Sequence, residues 1–274
     1  MNISAKTKIC MVIGDPIEHS LSPQMHNAGY QALGIDEKFV YVACEVRVNN
    51  LADFIKGVRA MGIRGISCTI PHKVEIIKFL DEIDETAQII GAVNTVVNEE
   101  GRLKGYNTDW LGAVIPIEES ISLKNKKVAL IGAGGVARAI AYGVVKKNAL
   151  LTIFNRSIKN AKTLAREFGG KAFTSNELGR IKDMDIIFNA TPVGMHPDED
   201  KSPIPKELIT KRHIVFDVIY KPYETKLLRE AKEQGAQVIH GVEMLFHQGI
   251  AQFKLYTGNE APKEVMKSIL LEHL

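Results

Sequence analysis

The feature that most constrains the fold is the run Val128-Ala129-Leu130-Ile131-Gly132-Ala133-Gly134-Gly135-Val136-Ala137. Its first four residues read as a buried strand, the glycines as a tight turn, and Ala137 to Lys147 as a helix. A strand that passes straight into a helix opens a βαβ unit, which demands a parallel sheet with helices on its faces. In the turn itself, Gly132 permits the sharp reversal and Gly134 lets a ligand approach the backbone. Ala137 is small enough for close helix–strand packing. The unpaired N–H groups at a helix start attract an anion, so Gly132, Ala133, Gly134, Gly135, Val136 and Ala137 form a candidate dinucleotide pyrophosphate site. A glycine turn can also merely connect a strand to a helix; the strand–turn–helix context favours the ligand.

The next strand, Leu151 to Phe154, selects the dinucleotide. An NAD site places Asp or Glu near its end to bind the ribose 2′-hydroxyl. Here the residues are Asn155-Arg156-Ser157. No carboxylate is present to repel a 2′-phosphate, and the planar Arg156 guanidinium can pair with one. The alternative is a solvated arginine at a helix start, where the positive end of the helix disfavours it. The sequence thus points to NADP(H).

Strands and helices also alternate before this unit. Ile9 to Ile13, Phe39 to Cys44, Gly65 to Ile70 and Ala92 to Asn98 read as strands, with a turn at Glu100-Gly101. Ser22-Pro23 reads as a helix start with Ser22 as the cap. Leu51 to Met61 reads as an amphipathic helix, and a further helical stretch follows Pro71. Later βα units include Ile186 to Phe188 and Ile214 to Phe216, and Glu243 to Tyr256 and Lys263 to Leu271 read as helices. The βαβ pattern restarts between residues 105 and 125, giving an expected division into 1–105, 106–242 and 243–274. The net charge of +3 offers no footprint for nucleic acid. The most apolar stretch, Val128 to Val145, is broken by Arg138 and a glycine cluster and fails as a membrane span. Met1 to Lys8 lacks the apolar core of a secretory signal. Cys10, Cys44 and Cys68 are an odd count without metal-ligand spacing, which leads to the expectation of a cytoplasmic protein without a metal.

Three N-terminal segments gather polar groups where strands end, the place where open α/β sheets hold ligands. Ser20 and Ser22 straddle a helix start and could hold a carboxylate, although Ser22 taken alone reads as a cap. Thr69-Ile70-Pro71-His72-Lys73 puts a lysine at a strand mouth, where a lone lysine is usually solvated. Asn107-Thr108-Asp109 follows Gly91-Ala92-Val93-Asn94-Thr95, and Asp109 alone could cap a helix. Met244 and Gln248 are four apart and share a helical face; one could touch a nicotinamide and the other a substrate, or Met244 could be core.

Taken together and in this order, with Asn189-Ala190-Thr191-Pro192, Asp217 to Pro222 and the Met244-Leu245 segment, these motifs resemble the shikimate dehydrogenase family over nearly the whole chain. The resemblance implies an α/β fold of two domains around a cleft: an N-terminal substrate domain with a mostly parallel sheet, joined by the C-terminal helices, and a Rossmann-type NADP domain. It implies NADPH-dependent reduction of 3-dehydroshikimate to shikimate, on the way to aromatic amino acids. By motif, Lys73 and Asp109 become the catalytic pair. Ser20, Ser22, Ser67, Thr69, Asn94, Asp109, Tyr220 and Gln248 become substrate contacts. Gly132 to Ala137, Asn155, Arg156, Ser157, Asn189, Ala190, Thr191, Val218, Gly241 and Met244 fall on the cofactor side. The chemistry is consistent: a lysine ammonium can protonate and stabilise an alkoxide, and a neighbouring carboxylate can orient it.

Two departures stand out. The family usually carries Asn-Val where this chain has Ser67-Cys68. Ser67 can still reach a ring hydroxyl, while Cys68 should point away by strand alternation. A basic residue usual in the helix after Asn155-Arg156-Ser157 is replaced by Asn160, beside Lys159. A quinate or dual-specificity dehydrogenase is the nearest alternative, although Ser22 and Arg156 speak against it. An NADP(H)-sensing module without turnover is the non-enzymatic alternative, opposed by the presence of both Lys73 and Asp109. A small-molecule substrate and a monomer or homodimer are expected.

Overall fold

The computed structural model describes residues 3–274, and the chain divides into two compact units. One comprises the residues up to Thr108 together with Gln248–His273; the other is Asp109–His247.

The first unit contains β1 (Lys8–Gly14), α1 (Ser22–Ala32), β2 (Phe39–Glu45), α2 (Leu51–Met61), β3 (Gly65–Cys68), β4 (Glu82–Ile83), α3 (Glu85–Ile90), β5 (Thr95–Glu99) and β6 (Arg102–Tyr106). Its strands form one sheet in the order β2-β1-β3-β5-β6-β4. The sheet is more mixed than the sequence suggests, because β5 runs antiparallel to both β3 and β6. The β5–β6 pair is a hairpin, which turns at Glu100 and Gly101, both with positive φ. The helical stretch expected after Pro71 breaks into a 3₁₀ turn at Glu75–Phe79, the short β4, and α3 capped by Asp84. The expected strand from Ala92 begins only at Thr95. Ser22 is not the cap of α1: Leu21 occupies that position and Ser22 is the first helical residue. The Ser20 hydroxyl instead accepts the Ser22 N–H, at 3.3 Å. One face of the sheet packs Met11, Ile13, Ile66, Cys68, Val96 and Leu103 against Leu51, Ile55 and Val58 of α2. Cys68 therefore lies in the apolar core.

The second unit contains α4 (Asp109–Glu118), β7 (Lys127–Ile131), α5 (Gly135–Lys146), β8 (Leu150–Asn155), α6 (Ile158–Phe168), β9 (Lys171–Thr174), β10 (Ile186–Asn189), β11 (Ile214–Asp217), α7 (Lys226–Glu233) and β12 (Gln237–Ile239). Every pairing in its sheet is parallel, in the order β12-β11-β10-β7-β8-β9. This is the doubly wound order, and its switch point lies between β7 and β10. Ligands of such sheets bind beyond the carboxyl ends of the strands at that point. The core is built from Val128, Leu130, Ile140, Val144, Ile153, Phe188 and Phe216, with Met244 among them. Two helices close the chain, α8 (Gly241–Thr257) and α9 (Lys263–Glu272), and the division between the units falls inside α8. Among the described residues no helix is long and apolar enough to cross a membrane.

Candidate active site

At the switch point of the second unit, the turn after β7 is shaped by what its glycines lack. Gly132 has φ of +115°, and a Cβ there would lie 2.7 Å from the Ala190 carbonyl oxygen. Only glycine satisfies both demands, so the turn packs directly onto the chain leaving β10. A Cβ on Gly134 would meet nothing within 4 Å. That open space lies at the N-cap of α5, where helix N–H groups have no intrahelical partner. Ala137 is buried in the core, as close helix–strand packing requires.

Beyond β8, the Asn155 side-chain amide donates to the Ser157 carbonyl at 3.0 Å, and the Ser157 hydroxyl caps α6 by accepting the Asn160 N–H. Arg156 is exposed between them. Residues 152–160 contain no carboxylate. This donor set fits a 2′-phosphorylated dinucleotide.

Beyond β10, Asn189 is fully buried and organises the chain that follows. Its Oδ1 accepts from the Thr191 N–H at 3.0 Å and the Thr191 hydroxyl at 2.7 Å. Its Nδ2 donates to Asp217 Oδ1 at 3.0 Å and to the Val193 carbonyl at 3.2 Å. Val218 and Tyr220 are partly exposed just beyond β11. Gly241 packs against that segment so closely that a Cβ would come within 2.3 Å of the Ile219 carbonyl oxygen. Met244 is buried and belongs to the apolar core of this unit. Asp109 is buried at the first turn of α4, where the helix end favours a negative charge.

In the first unit, Asn94 is the centre of a buried polar cluster. Its Oδ1 accepts from the Thr108 N–H at 2.8 Å and the Thr95 hydroxyl at 2.7 Å. The Thr108 N–H can only donate, so the amide nitrogen points the other way, to Thr108 Oγ1 at 2.9 Å and Gln248 Oε1 at 3.4 Å. Lys73 is buried, and its carbonyl accepts the Val93 N–H at 2.7 Å, which ties the lysine backbone to the segment leading into Asn94. Thr69 is half-buried beside Gly14 and is held by its N–H to the Ile13 carbonyl. Ser20 is partly exposed and Ser22 buried at the start of α1.

Ser67 has a different environment from the one its position in the motif suggests. Its hydroxyl lies 2.6 Å from the Tyr41 hydroxyl, 2.9 Å from that of Tyr256 and 2.9 Å from Gln252 Oε1. Gln252 Nε2 donates to the Asn94 carbonyl and Thr95 Oγ1, so its Oε1 must face Ser67. Ser67 therefore donates to Gln252 and accepts from both tyrosines, which uses the full capacity of a hydroxyl. Tyr256 reaches it across Gly65, where a Cβ would lie 2.4 Å from the ring. The serine hydroxyl is buried within this internal network. Gln252 carries no motif that marks it in the sequence; its one signal is that it follows Gln248 by four residues and so shares its helical face.

Comparison with known proteins agrees with this arrangement. The chain matches family models for the shikimate dehydrogenase substrate binding domain over residues 12–96, for shikimate/quinate 5-dehydrogenase over 117–199, and for the shikimate 5′-dehydrogenase C-terminal domain over 241–271. It is 46% identical to the NADP(+) shikimate dehydrogenase of Methanocaldococcus jannaschii, over 99% of each chain. The chain belongs to the shikimate dehydrogenase family. Among solved structures of that family, one shikimate dehydrogenase in complex with NADP+ superimposes with a TM-score of 0.92 at 43% identity, over 99% of this chain and 97% of the other. The Thermus thermophilus enzyme in complex with NADP(H) and shikimate gives 0.90 at 36% identity, over 98% of this chain and all of the other. The family's α/β fold, with mostly parallel sheets, is the fold described above.

Proposed function

We propose that this chain is an NADP-dependent shikimate dehydrogenase, an oxidoreductase that interconverts 3-dehydroshikimate and shikimate in aromatic amino-acid biosynthesis. The observation that carries the reading is the full-length identity to NADP(+) shikimate dehydrogenase. The donor set at the end of β8 supports the phosphorylated cofactor, with Arg156 as the 2′-phosphate partner and Asn155 and Ser157 shaping the turn that presents it.

When bound, NADPH supplies the hydride for the reduction. Gly132 to Ala137 hold its pyrophosphate at the start of α5, and Asn189, Ala190, Thr191, Val218, Gly241 and Met244 complete the cofactor side. Lys73 supplies the proton that the reduced carbonyl oxygen needs, and in the reverse direction takes it back. Asp109 is the carboxylate partner that orients the lysine and a substrate hydroxyl. Ser20 and Ser22 bind the substrate carboxylate. Thr69, Asn94, Tyr220 and Gln248 bind its oxygens. Ser67 contributes through Gln252 and Asn94 rather than by direct contact. The enzyme works in the cytoplasm, as a monomer or homodimer.

The test is a matrix of assays at 340 nm, offering shikimate, quinate or no substrate with NADP+ or NAD+. Turnover confined to shikimate with NADP+ is expected. Preferred use of quinate would make the chain a quinate dehydrogenase, and NADPH binding without any turnover would make it a sensing module.

A further inference from the structure

Asp217 has no part in the chemistry above, yet it is one of the most buried charged groups in the chain, with no exposed surface. It stands at the end of β11, directly paired in register with Asn189 at the end of β10. Its Oδ1 accepts from Asn189 Nδ2 at 3.0 Å and from the Ile219 N–H at 3.1 Å. Its Oδ2 accepts from the Thr225 hydroxyl at 2.7 Å. All these partners are neutral donors. Burial pushes the carboxyl up to about 6, against its hydrogen bonds from Thr225, Ile219 and Asn189, so it remains a carboxylate at neutral pH.

A buried acceptor of this kind dictates the orientation of what surrounds it. The Asn189 amide nitrogen must point to Asp217 and to the Val193 carbonyl, since neither can donate. The Asn189 carbonyl is thereby turned to Thr191 and winds residues 189–193 into a fixed loop. The Val218 N–H donates to the Asn189 carbonyl oxygen of the backbone, and the Ile219 N–H to Asp217. Gly241 lies against the Ile219 carbonyl, and Gly132 against that of Ala190. The carboxylate thus joins the loop after β10 to the residues after β11; the glycine turn packs against the first of these and the start of α8 against the second. Its other oxygen serves a separate purpose. The Thr225 hydroxyl that donates to Oδ2 also accepts the Leu228 N–H and caps α7.

We propose that Asp217 is a positioning residue for the dinucleotide: its Oδ1 fixes the Asn189 amide, which sets the Asn189–Ala190–Thr191 loop beside the glycine turn, while its Oδ2 serves stability through Thr225. This rests on the assignment of that loop to the cofactor side. It predicts that the two oxygens of one carboxylate can be separated by experiment.

The experiment measures NADP+ dissociation constants by calorimetry, together with melting temperatures. Asp217→Ala should weaken NADP+ about tenfold or more. Thr225→Val should lower the melting temperature and leave NADP+ affinity unchanged. Asn189→Asp places a second carboxylate opposite the first and should weaken NADP+ strongly; adding Asp217→Asn should restore most of the loss. This reciprocal pair creates no cavity and decides the matter even if Asp217→Ala does not fold. The proposal is overturned if Asp217→Ala binds NADP+ like the wild type, if Thr225→Val weakens NADP+ as much as Asp217→Ala does, or if Asp217→Asn fails to suppress Asn189→Asp. Failure of the wild type to bind NADP+ at all would instead refute the functional reading on which the proposal rests.

Discussion

Replacing His26 by Phe should remove most of the acid sensitivity of the first unit. His26 is fully buried in α1. Its ring stacks on Tyr41 at 4.3 Å between centroids and 3° between planes, and lies nearly parallel to Phe253 at 6.1 Å. Burial drives its pKa from 6.5 down to about 3. A depressed pKa contributes stability above the unfolded value of 6.5, and that stability is lost as the pH falls toward 3, because the unfolded chain takes up a proton that the folded one refuses. The slope is about 1.4 kcal/mol per pH unit, so roughly 3 kcal/mol is lost between pH 6.5 and 4. Asp217 acts in the opposite sense. Its pKa is raised from 3.8 to about 6, so its stabilising contribution is complete below 3.8 and lost as the pH rises through 6. That contribution is common to both proteins and cancels in the comparison. Phe retains the stacking but cannot titrate, and any fixed packing cost leaves the slope untouched. Urea unfolding followed by circular dichroism at pH 7, 6, 5 and 4 measures the difference. Wild type should lose roughly 3 kcal/mol relative to His26→Phe across that range. Parallel pH profiles would refute the argument from desolvation.

Arg156→Ala should raise KM for NADP+ by about tenfold or more and change KM for NAD+ little, since the lost interaction is with the 2′-phosphate; equal changes in steady-state kinetics would remove the phosphate clamp. Gly65→Ala forces its methyl against the Tyr256 ring and should cost about 1–3 kcal/mol, visible as a lower melting temperature, with KM for shikimate raised as the Ser67–Gln252–Asn94 chain is disturbed. Gly132→Ala requires a φ that alanine avoids and a contact with the Ala190 carbonyl that cannot be made; NADP+ binding by calorimetry should be lost while the first unit stays folded by hydrogen exchange.

Much of this molecule is written locally. The strand–glycine–helix run marks the second unit because Gly132 has no substitute in that turn, and the all-parallel sheet follows. The first unit was harder to read. Its antiparallel β5 depends on a hairpin at Glu100-Gly101, whose turn is visible in the sequence but whose second strand, Arg102–Tyr106, has too little apolar content to declare itself. Leu21 rather than Ser22 stands at the N-cap position of α1, without a side-chain cap, and the Ser22 N–H goes to the Ser20 hydroxyl.

Site chemistry shows the same contrast. Motifs name the residues that face ligands, but not the ones that hold them. Gln252 and Thr95 orient Asn94 from buried positions separated from it by long stretches of chain or hidden inside a motif. Ser67 was legible as a polar residue on β3; that its hydroxyl is fully used by Tyr41, Tyr256 and Gln252 depends on side chains far apart in sequence. Asp217 likewise reads as one letter of a motif until register brings it beside Asn189.

The proposed reaction is oxidation of shikimate by hydride transfer to NADP+, with Lys73 taking up the hydroxyl proton. It is tested most directly by assaying wild type and Lys73→Ala side by side at 340 nm while NADPH binding is followed by fluorescence. Vigorous turnover in the wild type is predicted, with kcat lower by orders of magnitude in the variant and NADPH affinity retained. An inactive wild type, or a variant that turns over shikimate at near-normal rate, would contradict it.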